Sequence, residues 1–274
     1  MAGDNELVLH VLGTAAAWPF PRVGCACPMC AEALRDDRLR RARSALLVER
    51  RGSEELVLVD AGNDIHWQLL QAGENVHRRL AALVLTHPHS DHYLGLDDLA
   101  RALKDVREVL LPFYLQDDNL PVVERTFSYL LPSREGARPW EKPRFEPRAI
   151  RLEEPFDVAG IRFTPINTFH TDTFTTCAFR IEANGRAAVY APDCARIESE
   201  TAMDADLLVI DATELDDATE SHLSIPTALE TARRLRARRT ILTHIGHHQI
   251  SCADRDARLA GQATVATDGL VLEV

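Results

Sequence analysis

No apolar run in the 274-residue chain approaches the roughly 18 residues a membrane helix needs, so no membrane partner is expected. Met1 to Glu6 has neither the basic start nor the apolar stretch of a secretory leader, which leads to the expectation of a cytoplasmic protein. Positive charge is in deficit. With 31 Lys and Arg against 42 Asp and Glu, the net charge is −11. Phosphate backbones recruit Lys and Arg, so the charge argues against a protein that coats nucleic acid, no stable nucleic-acid partner is expected, and no basic arm for gripping RNA is evident. Cysteine is scarce, with six residues in all. Three of them crowd into positions 25, 27 and 30, a spacing that points to a metal rather than to a disulfide framework.

What is present is enough apolar material, 46% of residues, for a substantial core. The expected organisation is a single domain over residues 1–274. Strands are expected at Glu6 to Leu12, Ser44 to Arg50, Glu55 to Val59, Leu80 to Leu85, Val106 to Leu111, Ile161 to Ile166, Thr175 to Ile181, Ala187 to Tyr190, Leu207 to Ile210, Arg239 to Leu242 and Gly269 to Val274. Asn184-Gly185 reads as a hairpin turn. Helical spacing covers Leu94 to Lys104 and Ser224 to Arg236, the latter with Ser224 as N-cap and Pro226 in the first turn. Residues 112–147 carry six prolines and read as an insertion or lid, with a helix at Val122 to Leu131.

The chain echoes itself. An apolar strand ends in Asp60, and the next one ends in Thr86-His87; another ends in Asp211, and its successor ends in Thr243-His244. Two such halves packed face to face would bring four polar strand ends to one edge, where α/β sheets place their ligands. A chance recurrence of a common pattern reads equally well.

The sharpest signal is Thr86-His87-Pro88-His89-Ser90-Asp91-His92, directly after an apolar strand. Imidazole and carboxylate are ligands of zinc, manganese and iron. Stability alone gives no reason to gather four such groups at one strand end, since each would need a partner if buried.

With this H-x-H-x-D-H signature the chain resembles the metallo-β-lactamase superfamily. The resemblance extends over nearly the whole length, because His170, Asp193 and His244 follow in order, each behind a strand. It implies an α+β fold, a four-layer αβ/βα sandwich of two facing mixed sheets flanked by helices. It also implies a two-metal site for zinc or manganese. His87, His89 and His170 would hold one ion, Asp91, His92 and His244 the other, and Asp193 would bridge them. Asp91 would thus belong to the reacting centre as well. Asp60 would either orient a His ligand or cap its turn. The implied reaction is hydrolysis by attack of a metal-bridging hydroxide. The resemblance also places a metal-free catalytic His in the region of His222, to protonate the leaving oxygen; an exposed loop His is the competing reading.

The Cys loop, Gly24 to Cys30, narrows the resemblance to the phosphoribosyl cyclic phosphodiesterase family of the carbon–phosphorus lyase pathway. There a C-x-C-x-x-C loop and the second His of T-H-x-x-H share a structural zinc. Here Cys25, Cys27, Cys30 and His247 match, with His248 adjacent to the last. The expected substrate is a small anionic phosphate ester of phosphoribosyl type, cyclic or diester. A thioester or lactone hydrolase on the same fold is an alternative, as is a cofactor-biosynthesis protein like the pyrroloquinoline quinone biosynthesis protein B family. The N-terminal turn Gly13 to Pro21 departs from the phosphodiesterase pattern. The Arg runs at 38–43 and 233–239 read either as partners for a second phosphate or as solvated helix ends. Cys177 and Cys194 read as small buried hydrophobes, His10, His66 and His77 carry no motif, and a homodimer is allowed for.

Overall fold

A computed structural model describes residues 7–104, 109–132, 144–259 and 261–274. Seven strands form the first sheet. They are β1 (Leu7–Gly13), β2 (Ala45–Arg50), β3 (Leu56–Val59), β4 (Leu80–Val84), β5 (Leu111–Gln116), β6 (Phe145–Ile150) and, returning from the C-terminal end, β15 (Val271–Glu273), in the order β15-β1-β2-β3-β4-β5-β6. β1 to β3 pair antiparallel and β3 to β6 parallel, so the sheet is mixed. The second sheet runs β11 (Arg196–Ile197), β8 (Ile161–Phe169), β9 (Thr176–Ala183), β10 (Arg186–Ala191), β12 (Leu207–Asp211), β13 (Arg239–Thr243) and β14 (Thr264–Val265), with β7 (Phe156–Val158) against β8.

Side-chain alternation builds the layers. In β3, Val57 and Val59 turn inward to a core shared with Phe163, Phe179 and Val209 of the facing sheet. Leu56 and Leu58 turn outward, under α2 (Ile65–Ala72), α5 (Leu96–Ala102) and α6 (Leu120–Phe127). In β12, Leu207 and Val209 face the inner core, whereas Leu208 and Ile210 face α7 (Ile225–Arg234). Each fully buried Leu, Val or Ile contributes about 1.5–3 kcal/mol. Helix, sheet, sheet and helix thus stack in four layers, the arrangement the resemblance implies.

Local signals act where expected. Asn184 and Gly185 both have positive φ, 53° and 79°, at the β9–β10 turn. Ser224 caps α7 in a capping box with Thr227. The expected strand at Val106 to Leu111 begins outside the described residues, and the strand found there is β5, which starts at Leu111. Reading 112–147 as an insertion needs correction. Pro112 lies within β5 and Pro147 within β6, paired in parallel and joined in part by α6. β6 is the last strand of its sheet, and Pro112 lies beyond the β4 pairing, so neither ring removes a needed ladder bond. Residues 133–143 lie outside the described residues. α8 (Cys252–Arg258), α1 (Pro28–Ala33), α3 (Val76–Arg79) and α4 (Ser90–Tyr93) complete the α-helices among the described residues. Among the described residues no helix is long and apolar enough to cross a membrane.

Candidate metal centre and active site

Strands β3, β4, β8, β10, β12 and β13 deliver their carboxyl ends to one rim, where Asp211 ends β12 and Asp60, His87, His170, Asp193 and His244 follow the other five in turn. Between β4 and α5 the chain must pass very close to the β3 turn. A Cβ on Gly62 would sit 1.8 Å from the Asp91 carbonyl oxygen, and one on Gly95 would sit 2.0 Å from that of Gly62. This absence of side chains lets Ala61 donate its N–H to the His92 carbonyl at 2.7 Å, which fixes α4 and with it Asp91 and His92.

The residues singled out in the sequence converge. His87, His89, His170 and Asp193 each present a donor atom within 4.8 Å of the other three, and so do Asp91, His92, Asp193 and His244. Asp193 belongs to both groups. His89 Nδ1 lies 2.9 Å from His87 Nε2 and 3.0 Å from His170 Nε2. Asp193 Oδ2 lies 3.2 Å from His87 Nε2, 3.3 Å from His92 Nε2 and 3.5 Å from His244 Nε2.

The far side of three of the rings is held. His92 Nδ1 donates to Asp60 at 2.8 Å, and Asp60 also accepts from the Thr86 backbone N–H at 2.9 Å and from the Thr86 hydroxyl. His170 Nδ1 donates to the Ser221 carbonyl at 2.7 Å. Thr213 Oγ1 lies 2.9 Å from His244 Nδ1 while donating to the His244 carbonyl at 2.8 Å. The inner nitrogens are therefore left to face the centre. His92 Nε2, His244 Nε2 and Asp193 Oδ1 are buried without a hydrogen-bond partner. Buried polar atoms in proteins are rarely orphaned. His92 Nε2 and His244 Nε2 both lie within 3.5 Å of Asp193 Oδ2, and orphaned atoms in such a set of imidazoles and carboxylates fit a pair of divalent cations.

Electrostatics agree with that fit. Burial pushes His87 down to about 3, and burial together with the His170 charge takes His89 to about 4; burial lowers His170 as well. These rings are neutral at pH 7, as a metal ligand must be. Burial alone would lower His92 and raise Asp91 and Asp193. The opposite charges across the cluster outweigh it, so His92 lies well above its ordinary value and both carboxyls well below theirs. Carboxylates in this pocket need a positive partner, which a proton on His92 or a cation can supply.

His222 lies beside the cluster. Its Nδ1 is 2.9 Å from Asp211 Oδ2 and 3.1 Å from Asp193 Oδ1. Asp211, Asp193, His222 and His244 form a further group of donors. Asp211 is already engaged, accepting the Cys194 N–H at 3.0 Å and the Thr213 N–H at 2.7 Å, which suits it to orienting His222. Burial alone would lower His222, but the Asp193 and Asp211 carboxylates raise it to about 10.

The Cys loop closes with a histidine. Cys25, Cys27, Cys30 and His247 form a four-donor group. His247 Nδ1 lies 3.2 Å from Cys30 Sγ and 3.9 Å from Cys27 Sγ, and its Nε2 donates to the Trp18 carbonyl at 3.1 Å. His248 turns the other way, with Nε2 donating to the Thr213 carbonyl at 2.9 Å. Of the two neighbours, it is His247 that lies beside the thiols. Burial pushes the Cys30 thiol up to about 12, so a thiolate there requires a cation.

Other sequence candidates fall outside. Arg38, Arg40 and Arg43 pair with Asp36, Asp37 and Asp64, and Arg236 and Arg238 pair with Asp204 and Asp206. Neither basic run is among the residues lining the cavity at the centre. His10 pairs with Glu49, and Cys177 and Cys194 are buried in the cores. Sequence reasoning missed Thr213, Trp18 and Arg22. Thr213 carried a signal, standing two residues after Asp211 in the internal echo; Trp18 and Arg22 carried none.

Residues 55–245 match the family model of a beta-lactamase superfamily domain. An octanoyltransferase of Porphyromonas gingivalis is 29% identical over 240 residues, 87% of this chain but 46% of the relative, so the chain spans about half that protein's length. Coenzyme PQQ synthesis protein B of Methylobacterium nodulans is 32% identical over 230 residues, 76% of this chain and 73% of the relative. A diphosphatase of the PhnP family superposes with a TM-score of 0.82 at 26% identity, over 98% of this chain and 97% of its own. Zn2+-bound PqqB from Methylobacterium extorquens superposes with a TM-score of 0.78 at 25% identity, over 97% and 100%. By the family match over residues 55–245, the chain belongs to the β-lactamase superfamily.

Proposed function

We propose that the chain is a phosphodiesterase that opens a small cyclic or diester phosphate at a centre of two divalent cations. The observation that carries this reading is the shared carboxylate. Asp193 stands between two donor groups, His87 with His89 and His170, and Asp91 with His92 and His244. Paired divalent ions in such a setting supply Lewis acidity toward phosphoryl oxygens and a lowered pKa for water. Asp60 fixes His92, and Thr213 fixes His244, so that each ring presents one defined nitrogen.

His222 is the proton donor of this reading. Asp211 holds its Nδ1, which leaves Nε2 for the leaving oxygen, and the two carboxylates keep the ring protonated. The cavity in front of the centre is about 550 Å³, a small-molecule volume, and is lined by His89, Asp91, His170, Asp193, His222 and His244 among others. Zinc and manganese both suit imidazole and carboxylate, and the zinc in the PqqB relative favours zinc. Cys25, Cys27, Cys30 and His247 would hold a further, structural zinc. The diphosphatase likeness supports phosphate-ester chemistry.

The test is turnover of bis(p-nitrophenyl) phosphate and a ribose cyclic phosphate by protein whose metal content is measured. Hydrolysis of either supports the reading. Full metal content without hydrolysis overturns it. The 32% identity to a PQQ synthesis protein favours a second reading, a role in cofactor biosynthesis, which that outcome would advance. Turnover of thioesters or lactones alone would instead point to acyl hydrolysis on the same scaffold.

A further inference from the structure

Trp18 and Arg22 stand at the wall of the same cavity that holds the His and Asp cluster. Trp18 is 54% exposed, one of three tryptophans in the chain. A lone exposed aromatic would mean little. This one is covered on its ring by the Arg22 guanidinium, 4.0 Å from the centroid. Arg22 is the one Arg or Lys among the described residues lining the cavity, and no carboxylate pairs with it among them.

The backbone that carries this pair is fixed from several sides. The Trp18 carbonyl accepts from His247 Nε2 at 3.1 Å, and the Arg22 N–H donates to Cys30 Sγ at 3.3 Å. Phe20, between them, stacks on His247 at 4.3 Å and exchanges two backbone hydrogen bonds with Arg41. The Cys/His group thus serves as a clamp that holds two large planar side chains toward the reacting centre. Such prior ordering removes much of the entropy cost of gripping a ligand.

We propose that Trp18 and Arg22 form a stacking shelf that selects phosphate esters carrying a planar heteroaromatic ring, of nucleotide type. The inference rests on the phosphate-ester reading of the adjacent centre and names the class of its substrate. A flat, electron-rich ring stacks on indole and guanidinium alike, whereas an alkyl chain gains nothing from the guanidinium plane. The positive charge of Arg22 adds a second hold on an anionic ligand in a wall that also contains Asp91, Asp193 and Glu214.

The test is calorimetric titration of the metal-loaded full chain with three probes: adenosine 5′-monophosphate, ribose 5-phosphate and octyl phosphate. The adenosine probe is expected to bind about tenfold tighter than either of the others. Trp18→Ala is expected to bring that ratio to within about twofold, and Trp18→Phe to keep most of it. Because the Trp18 carbonyl, not its ring, holds His247, both variants should keep their tightly bound metal, which serves as the check on folding. Equal binding of adenosine and ribose probes to the unaltered chain overturns the inference, as does octyl phosphate matching the adenosine probe, or a ratio that Trp18→Ala leaves intact. Turnover of bis(p-nitrophenyl) phosphate on the same preparation reads the hydrolysis proposal separately. A ring preference without turnover keeps the shelf and removes the phosphodiesterase; turnover without ring preference does the reverse.

Discussion

Asp60 and His92 meet at 2.8 Å, and solvent reaches neither side chain. Across the two halves of the fold the relation recurs, with Asp211 and His222 meeting at 2.9 Å. Each Asp ends or follows an apolar strand, β3 or β12, whose parallel neighbour, β4 or β13, runs on into Thr-His. The outcome differs on the two sides. Asp60 aims a ring into the donor cluster, whereas Asp211 aims one beside it.

Loss of the Asp60 carboxylate should therefore remove a metal and not merely loosen a turn. Asp60→Ala is expected to lower activity and affinity for the second cation by about 10–100-fold, the usual cost of losing a partner that orients a ligand. Elemental analysis after mild chelation should find one fewer cation per chain than in the parent. An unchanged count would return Asp60 to the role of turn cap.

The count for the parent chain is expected to be three metals, two exchangeable and one retained until the thiols are modified. His247→Ala should lose the retained ion, and His248→Ala should keep it, because only His247 turns its Nδ1 to the sulfurs. Metal analysis after thiol modification of both variants checks this.

His222→Ala should leave all three metals in place. The rate on a poor leaving group should fall by about 10²–10⁴-fold, the range for loss of a general acid. A much smaller fall is expected with p-nitrophenolate, which departs without help. Equal losses on both substrates would mean that His222 only fills space.

Asp268, which belongs to neither donor group, gives a separate pH signature. Burial raises it to about 6, although it accepts hydrogen bonds from the Thr14 hydroxyl and the Ala42 N–H. An unfolded Asp titrates near 3.9. The folded state therefore binds this proton more tightly, so the stability it contributes is full below about pH 4 and is lost as pH rises through about 6. In denaturant titrations, the stability of the parent relative to Asp268→Asn should fall by on the order of 2–3 kcal/mol between pH 4 and 7. A flat difference would contradict the shift.

Gly62→Ala should damage fold and site together. Its new methyl would collide with the Asp91 carbonyl, costing roughly 1–3 kcal/mol of stability and displacing Asp91 from the cluster. Thermal unfolding and metal content should fall in step.

Much of this was readable before any coordinates. The H-x-H-x-D-H run is local, six residues on one strand end, so its meaning survives without a fold. His170, Asp193 and His244 were legible only through their order behind strands. The strand at Glu55 to Val59 was legible as an arm of a hairpin, but only the fold sorts its apolar residues, with Val57 and Val59 on one core and Leu56 and Leu58 on the other. Pro112 and Pro147 misled, because proline argues against a strand only where its missing N–H would have been needed.

Residue types and their succession along the chain determined the chemistry: which side chains could be ligands, and which apolar positions would be buried. Direction was another matter. His247 and His248 differ by one step of backbone, and sequence assigns them the same donor atoms. Only the packed loop turns one to the thiols and the other to Thr213. Likewise Trp18 and Arg22 reach the cavity because strands far apart in sequence close around it. Identity is a property of the residue, but orientation belongs to the whole set of contacts that hold its backbone.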